Sequence, residues 1–196
     1  TLLASSAASD VYKRQLSDAA ELSQIYAYYV NNTAITFEDV APTEKEFAER
    51  MKGIMAFYPY LVAEFNGETV GYCYAGTFKN RSAYDWAVET TVYVKPGFAR
   101  KGTGAALYAA LEERLKNQGI KNMYACIASP AQGEDEYLGY GSINFHKKSG
   151  FTLCGTFRLC GNKFGRWYDM VWMEKMISDH NANPPRPVPY GSLKHD

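Results

Sequence analysis

"VYVKPGFARKGTGAALYAALEERLKNQG", residues 92–119, is the stretch that decides the fold. A β-branched and aromatic segment stops at Lys95-Pro96-Gly97, and a loop containing Gly102 and Gly104 follows it. Leucines at 107, 111 and 115 then repeat at helical spacing. The first turn of a helix carries N–H groups without intrahelical acceptors and a partial positive charge. A strand that passes through a glycine loop into a helix can therefore hold a phosphate group.

Two familiar phosphate loops do not fit this glycine pattern. A Walker A loop has a lysine directly after its second glycine, whereas "GFARKGTG" has Thr103 there. A dinucleotide-binding fingerprint needs a third glycine, but Leu107 occupies that position and antiparallel strands precede the loop. Glycines that serve only the turn are the remaining alternative to an anion-binding loop.

Length and charge bound the class of protein. A chain of 196 residues suits one domain with a full hydrophobic core. Because 21 basic residues balance 21 acidic ones, nothing points to a nucleic-acid partner or an anionic membrane surface. No apolar run approaches the roughly 20 residues that span a bilayer.

Cysteine and histidine usage bears on redox compartment and metals. The four cysteines, which lie in predicted strands without a C-x-x-C pair, are interpreted as reduced and buried, which favours a cytoplasmic location. The three histidines show no metal-ligand spacing, so we expect no metal site.

The two ends differ in composition from the rest. Residues 1–15, "TLLASSAASDVYKRQ", lack an initiator Met and the apolar core of a signal peptide. Their "DVYKRQ" resembles a translated transposon adapter, so we expect a non-native leader that replaced a first strand; a natural disordered leader is the alternative. Residues 178–196 are rich in Pro and Asn, which predicts a disordered tail. Residues 16–177 then form the single folded domain.

Local signals give the order of elements between these ends. Ser17 can cap a first helix, and Thr43 with Glu46 forms a capping-box pattern that opens a second. Asn66-Gly67 predicts a two-residue hairpin turn. The order is two helices, three antiparallel strands, a helix, a strand, a short helix and a final hairpin. It predicts an α+β fold (α/β, three-layer), a mixed and mostly antiparallel sheet with helices on both faces.

"ARKGTGA", residues 99–105, resembles the R/Q-x-x-G-x-G/A pyrophosphate loop of the GNAT acetyltransferase superfamily, with Ala99 in place of Gln or Arg. The resemblance runs from about Leu16 to Ile177. "VETTVYVKPGFARKGTGAALYAAL" and "FHKKSGF…GTFRLCGNKFGRWYDMVWMEK" are similar to blocks of the phosphinothricin N-acetyltransferase branch. The resemblance implies splayed central strands, acetyl-CoA as co-substrate and a homodimer joined through its terminal strands.

It also implies which residues bind the cofactor. Backbone groups of Val92, Tyr93 and Val94 would face the pantetheine arm, and Ser142 would cap a helix beside it. The family's nearby Asn is missing, since Gly139 and Gly141 stand in that region. The pyrophosphate would lie against Arg100, Lys101, Gly102, Thr103, Gly104 and Ala105.

The same resemblance implies the catalytic groups. Glu89 corresponds to the acid thought to act as general base; a Glu that only orients the substrate ammonium is the alternative. Alternation along a strand puts Glu89 and Val92 on opposite faces. The backbone N–H of Val94 would stabilise the oxyanion. His146 would protonate the leaving thiolate, and a His that merely packs on the cofactor is the alternative.

Substrate contacts are expected from the first helical loop and the last hairpin. An arginine there would suit a carboxylate or phosphinate. The candidates are Phe37, Glu38, Tyr84, Arg158, Trp167 and Tyr168.

The expected function is acetyl transfer from acetyl-CoA to the primary amine of a small amino-acid-like substrate of the phosphinothricin or methionine sulfone type. The amine would attack directly in a ternary complex. A catalytically degenerate CoA-binding sensor is the alternative, motivated by Ala99 and the missing Asn. A protein-acetylating enzyme ranks last because bulky aromatic residues indicate a closed pocket.

Overall fold

The computed structural model describes residues 10–13 and 18–193 of the chain. Their order of elements agrees with the sequence prediction, with one additional strand at the start. The helices and strands are β1 Asp10–Lys13, α1 Ala19–Asn32, α2 Glu44–Met55, β2 Tyr60–Phe65, β3 Glu68–Thr77, β4 Ala87–Val94, α3 Thr103–Gln118, β5 Asn122–Pro130, α4 Gly141–Lys148, β6 Thr152–Lys163 and β7 Arg166–Met176.

The strands form one sheet in the order β1-β2-β3-β4-β5-β7-β6. Every described pair is antiparallel except β4 with β5, which α3 connects as a crossover helix. Helices α1 and α2 pack on one face around Leu22, Phe47 and Tyr72, and α3 packs on the other around Leu107 and Leu111. The predicted α+β architecture with helices on both faces is confirmed.

Strands β4 and β5 separate soon after they meet. Their pairing covers only Ala87–Glu89 against Asn122–Tyr124. The Lys95 N–H donates to the Val70 carbonyl on the β3 side (2.8 Å). Because hydrogen-bonded and non-bonded pairs alternate in an antiparallel ladder, the backbone groups of Val92 and Val94 face away from β3, into the gap left by β5.

The predicted local signals are present where the structure describes them. Thr43 accepts from the Glu46 N–H (3.3 Å) while Glu46 accepts from the Thr43 N–H (2.8 Å), which completes the capping box. Asn66 and Gly67 have φ of 51° and 77°, as a tight hairpin turn requires. Ser17, the predicted first cap, lies outside the described residues, and α1 begins after Asp18.

The expected disorder of the tail is wrong for residues 178–193. The Val188 N–H donates to the Gln118 carbonyl (3.2 Å), and the N–H of the buried Tyr190 donates to the Phe57 carbonyl (2.8 Å). The Trp86 indole donates to the Pro185 carbonyl (2.8 Å). A Pro-rich segment cannot extend a helix or sheet, but its isolated N–H and C=O groups still bond to the ends of other elements.

Within the predicted leader, Asp10–Lys13 pairs as an edge strand with Leu61–Glu64 of β2. That residues 1–15 are non-native stays a prediction. None of the described helices combines the length and apolarity needed to cross a membrane.

The cysteine interpretation needs a correction. All four cysteines are free, but only Cys73 is buried, whereas Cys126, Cys154 and Cys160 are exposed. β6 is an edge strand with mostly exposed residues, so strand position there does not imply burial.

Candidate active site

A cavity of about 290 Å³ opens where β4 leaves β5. Its walls come from both central strands, the α1–α2 loop, α2 and α4. Seven of the predicted site residues line it: Phe37, Glu38, Glu89, Val92, Tyr93, Ser142 and His146. A second depression, of about 600 Å³, lies between α1 and the β2–β3 turn and is lined by none of the predicted residues.

Glu89 and Glu38 are the two half-buried acids among the described residues that line this cavity. Burial raises the pKa of the Glu89 carboxyl, and the positive charge of Lys79 opposes the rise. Glu89 belongs to the last pair at which β4 and β5 are still joined. A carboxylate of raised pKa at the base of a cleft is suited to accept a proton from an incoming ammonium group.

The glycine loop keeps its amide groups available. Among the described residues, no acceptor is bonded to the N–H groups of residues 100–105, and the first helical bond of α3 runs from Ala106 N–H to Gly102 O (3.0 Å). Arg100 and Gly102 have φ of 64° and 89°, the left-handed turn that brings the chain into the helix. A Cβ on Gly104 would lie 3.1 Å from the Phe145 ring, so a glycine lets α3 approach α4 closely. These donors fit a diphosphate.

His146 is in the predicted place but in the wrong protonation state for an acid. Its Nδ1 donates to the Ser142 carbonyl (2.8 Å), which leaves Nε2 to accept from the Tyr108 hydroxyl (2.8 Å). The side chain is buried, and burial lowers its pKa from 6.5 to about 4. In this state Nε2 accepts a hydrogen bond from Tyr108 and carries no proton to donate, so the structure does not support the predicted protonation of the leaving thiolate by His146.

The lowered pKa of His146 predicts how the free energy of unfolding depends on pH. The folded state favours the neutral ring, so its contribution is complete above pH 6.5 and is lost as the pH falls towards 4. The difference amounts to roughly 3 kcal/mol at about 1.4 kcal/mol per pKa unit. We expect thermal unfolding at pH 7 and pH 5 to show a smaller acid-induced loss in His146→Gln than in the parent. Equal losses in both proteins would contradict the assignment.

Tyr108 and Thr90 are cavity residues that sequence reasoning missed. The Thr90 hydroxyl donates to the Tyr124 carbonyl (3.0 Å) and lies 3.3 Å from the Tyr108 hydroxyl. It therefore joins β4 to β5 one residue beyond their last backbone pair. The sequence pattern marks Thr90 only as a strand residue and Tyr108 only as a core-facing helix residue, so neither was predicted to lie at the site.

Ser142 lies beside this network but does not cap its helix. α4 begins at Gly141 after Tyr140, and no side chain caps it. The Ser142 carbonyl holds His146, and its hydroxyl lies 3.5 Å from Nδ1. In the described part of the chain no group of three or more His, Cys, Asp or Glu side chains could hold a metal ion.

The comparison with known families follows the same residues. Residues 13–172 match the model described as an acetyltransferase (GNAT) domain. The chain belongs to the GNAT acetyltransferase family. This GNAT chain is 34% identical over 172 residues to the phosphinothricin N-acetyltransferase of Streptomyces viridochromogenes, covering 88% of each chain.

Two further comparisons agree. The L-methionine sulfoximine/L-methionine sulfone acetyltransferase of Salmonella typhimurium is 31% identical over 85% of this chain and 93% of its own. The crystal structure of a GNAT phosphinothricin acetyltransferase from Sinorhizobium meliloti in complex with AcCoA superposes with a TM-score of 0.83 at 32% identity. It covers 93% of this chain and 98% of that one.

The substrate side of this GNAT chain differs in part from prediction. Phe37 and Glu38 line the cavity, but Tyr84, Arg158 and Trp167 are exposed and do not. The β6–β7 register shifts between Phe157 and Gly161, in the segment that contains Arg158. Strand alternation therefore could not predict which way the Arg158 side chain points.

Tyr168 is also outside the cavity. It is buried behind Phe37, with ring centroids 6.3 Å apart, and its hydroxyl donates to Asp135 (3.0 Å). It supports the wall and does not face a substrate. Val94 is not on the wall either, and its carbonyl accepts from the Tyr29 hydroxyl (2.5 Å).

The final hairpin fixes the wall made by the α1–α2 loop. The buried Lys163 ammonium donates to the carbonyls of Val30 (2.7 Å) and Thr36 (2.8 Å). A Cβ on Gly161 would lie 2.4 Å from the Phe37 ring, so this ring packs directly on the glycine. Both contacts join segments far apart in the sequence, so no local sequence pattern predicts them.

Replacing Lys163 should loosen this wall. Lys163→Met leaves the Val30 and Thr36 carbonyls without their donor, which costs about 1–3 kcal/mol of unfolding free energy. We expect a raised KM for the amine substrate with an unchanged KM for acetyl-CoA. Denaturant unfolding and steady-state kinetics measure both effects, and Lys148→Met on the exposed side of α4 is the control. Equal rises in both KM values would contradict a role confined to the wall.

Proposed function

We propose that this chain is an acetyl-CoA-dependent N-acetyltransferase acting on the primary amine of a small amino-acid-like substrate of the phosphinothricin or methionine sulfone type. The observation that carries the proposal is the position of Glu89, an acid of raised pKa in the cavity where β4 separates from β5. The activities for which the relatives from Streptomyces and Salmonella are named support the substrate class.

The chain's own groups would hold acetyl-CoA at two places. The free N–H groups of residues 100–105 would bind the diphosphate, with Arg100 and Lys101 adding positive charge. The backbone of Val92 and the N–H of Val94, turned into the gap, would pair with the amide-containing arm as an added strand does, while the Val94 carbonyl stays bonded to Tyr29. When bound, acetyl-CoA supplies an acetyl group activated as a thioester.

Glu89 would then prepare the nucleophile. Its carboxylate takes a proton from the substrate ammonium, directly or through water, and the neutral amine attacks the thioester carbonyl. The C–N bond forms and the C–S bond breaks in one ternary complex, without an acylated side chain. The Val94 N–H in the gap is our candidate donor to the oxyanion.

We assign His146 a supporting role in this scheme. Because its Nε2 accepts from Tyr108 and its ring is neutral, it holds the Tyr108 side chain at the cavity wall. This role differs from both alternatives of the sequence interpretation, a proton donor to the thiolate and a His that packs on the cofactor. The leaving thiolate then takes its proton from solvent.

We also propose that two copies associate through the terminal hairpin. Leu153, Phe157 and Leu159 of β6 and Trp167 and Met176 of β7 are each more than half exposed. Such a concentration of exposed apolar side chains along an edge strand is typical of an interface. Sedimentation of the parent and of Trp167→Glu tests this, and a monomeric parent would exclude it. Four free cysteines fit a reducing compartment such as the cytoplasm.

A CoA-binding sensor is the second candidate. Ala99 in place of a basic or amide side chain favours it, as do glycines at 139 and 141 where the resemblance expects an Asn nearby. A sensor would bind CoA tightly and release no thiol with any amine.

A thiol-release assay separates these functions. Acetyl-CoA is mixed with a panel of amino acids, methionine sulfone and phosphinothricin, and CoA binding is measured by calorimetry alongside. We expect release with at least one amino-acid-like amine. No release together with tight CoA binding would favour the sensor, and the absence of both would refute the proposed function.

A further inference from the structure

Arg50 is a cavity residue that neither the sequence prediction nor the proposed chemistry uses. It lies on α2, and its side chain is 50% exposed while lining the cavity. Among the described residues that line the cavity, it is the only Lys or Arg. The cation on the wall is therefore Arg50, whereas the sequence pointed to Arg158.

One hydrogen bond holds the Arg50 guanidinium in place, and its other N–H donors stay available. Its Nη1 donates to Glu38 Oε1 (2.7 Å), and this is its one hydrogen bond in the described part of the chain. A guanidinium carries five N–H donors in a planar fork. Glu38 thus fixes the direction of the side chain and leaves donors for a second, planar anion.

The position of Arg50 relative to Glu89 suits a substrate with an amine and an anion close together. Both side chains line one cavity of about 290 Å³. Tyr74 of β3 lines the same cavity, and its pKa responds to the charges of Glu89, Arg50 and Glu38. An α-amino acid carries its ammonium and carboxylate on the same carbon, so it presents both charges to a cavity that contains an acid and a guanidinium.

We propose that Arg50 binds the carboxylate of the amino-acid substrate and thereby directs its amine to Glu89. The inference rests on the proposed function and assigns a specificity-determining residue to it. Among the other nearby cations, Arg158 lies outside the cavity and Lys163 is committed to two backbone carbonyls. Lys79, whose charge acts on Glu89, lies over the Phe78 and Trp172 rings and does not line the cavity.

The test compares L-methionine sulfone with its primary amide, which keeps the amine and lacks the carboxylate. In Arg50→Gln we expect kcat/KM for the acid to fall about 10-fold or more, the effect of losing a hydrogen bond to a charged group. The fall should come from KM, and kcat/KM for the amide and KM for acetyl-CoA should stay within about twofold, because neither contacts Arg50. Lys52→Gln, on the exposed side of the same helix, is the matched control.

A second variant separates binding by Arg50 from repulsion by an unpaired Glu38. If Arg50 binds the carboxylate, Arg50→Gln combined with Glu38→Gln still discriminates poorly between acid and amide. Restored preference for the acid in this double variant, or an equal loss for acid and amide in the single one, overturns the inference. A parent that releases no thiol with methionine sulfone, phosphinothricin or any amino acid of the panel overturns the proposed function, and this inference with it.

Discussion

Glu89→Gln should lower kcat by about 10²–10⁴-fold, the range over which a positioned general base contributes. The glutamine keeps the shape and polarity of the side chain but cannot take a proton from the substrate ammonium. Because Glu89 is not part of the glycine loop, KM for acetyl-CoA should stay near the parental value. Steady-state thiol release measures both quantities, and Glu113→Gln on the exposed face of α3 is the control.

The pH profile gives an independent reading of the same residue. The base works only after it loses its proton, so the parental rate should rise with pH through the pKa of Glu89. Burial raises that pKa from its ordinary value of 4.5, so the rising limb should lie above that of an exposed carboxylate. A Glu89→Gln variant with parental kcat, or one with only a raised amine KM, would assign the residue to substrate orientation.

Gly104→Val should have the second large effect, a rise of about 10-fold or more in KM for acetyl-CoA. Any Cβ at this position meets the Phe145 ring at 3.1 Å, so the branched side chain forces α3 and its free N–H groups away from their present positions. Loss of even one hydrogen bond to a charged group costs about 1.5–3 kcal/mol, which is more than tenfold in affinity.

Calorimetric titration with CoA measures this effect without relying on turnover. Ala109→Val makes the same exchange of a small residue for a β-branched one on the exposed side of the helix, and it should bind CoA as the parent does. Should the two variants lose affinity equally, the cause would be a larger side chain anywhere on α3, and the loop would not be the phosphate site.

The features that the sequence predicted well are those with local causes. The Thr43 capping box, the Asn66-Gly67 turn and the glycine loop each depend on a few neighbouring residues, so their patterns survive in any fold. The alternation that separates Glu89 from Val92 is likewise a property of one strand. These signals were sufficient to predict the order of elements and to place Glu89 in the strand that lines the cavity.

The errors concern contacts between distant segments. Arg158 lies in β6 and Arg50 in α2, and both elements adjoin the expected substrate site. The register shift in β6 and the position of α2 decide which of the two arginines lines the cavity. His146 lies in the cavity, but burial lowers its pKa, and its Nε2 is bonded to Tyr108, 38 residues earlier in the chain. The tail has the composition of a disordered segment, and its order comes from single bonds to Trp86, Gln118 and Phe57.

The packing of Phe37 on Gly161 separates two properties that an enzyme can change independently. The proton-transfer group, Glu89, lies on the central strand β4, while the space available to a bulky amine depends on the β6–β7 hairpin. A larger side chain at position 161 would displace the Phe37 ring and reshape the chamber without altering any group that handles a proton. Directed evolution towards new amines can therefore concentrate on residues 161–163, where broadened acceptance need not come at the expense of turnover.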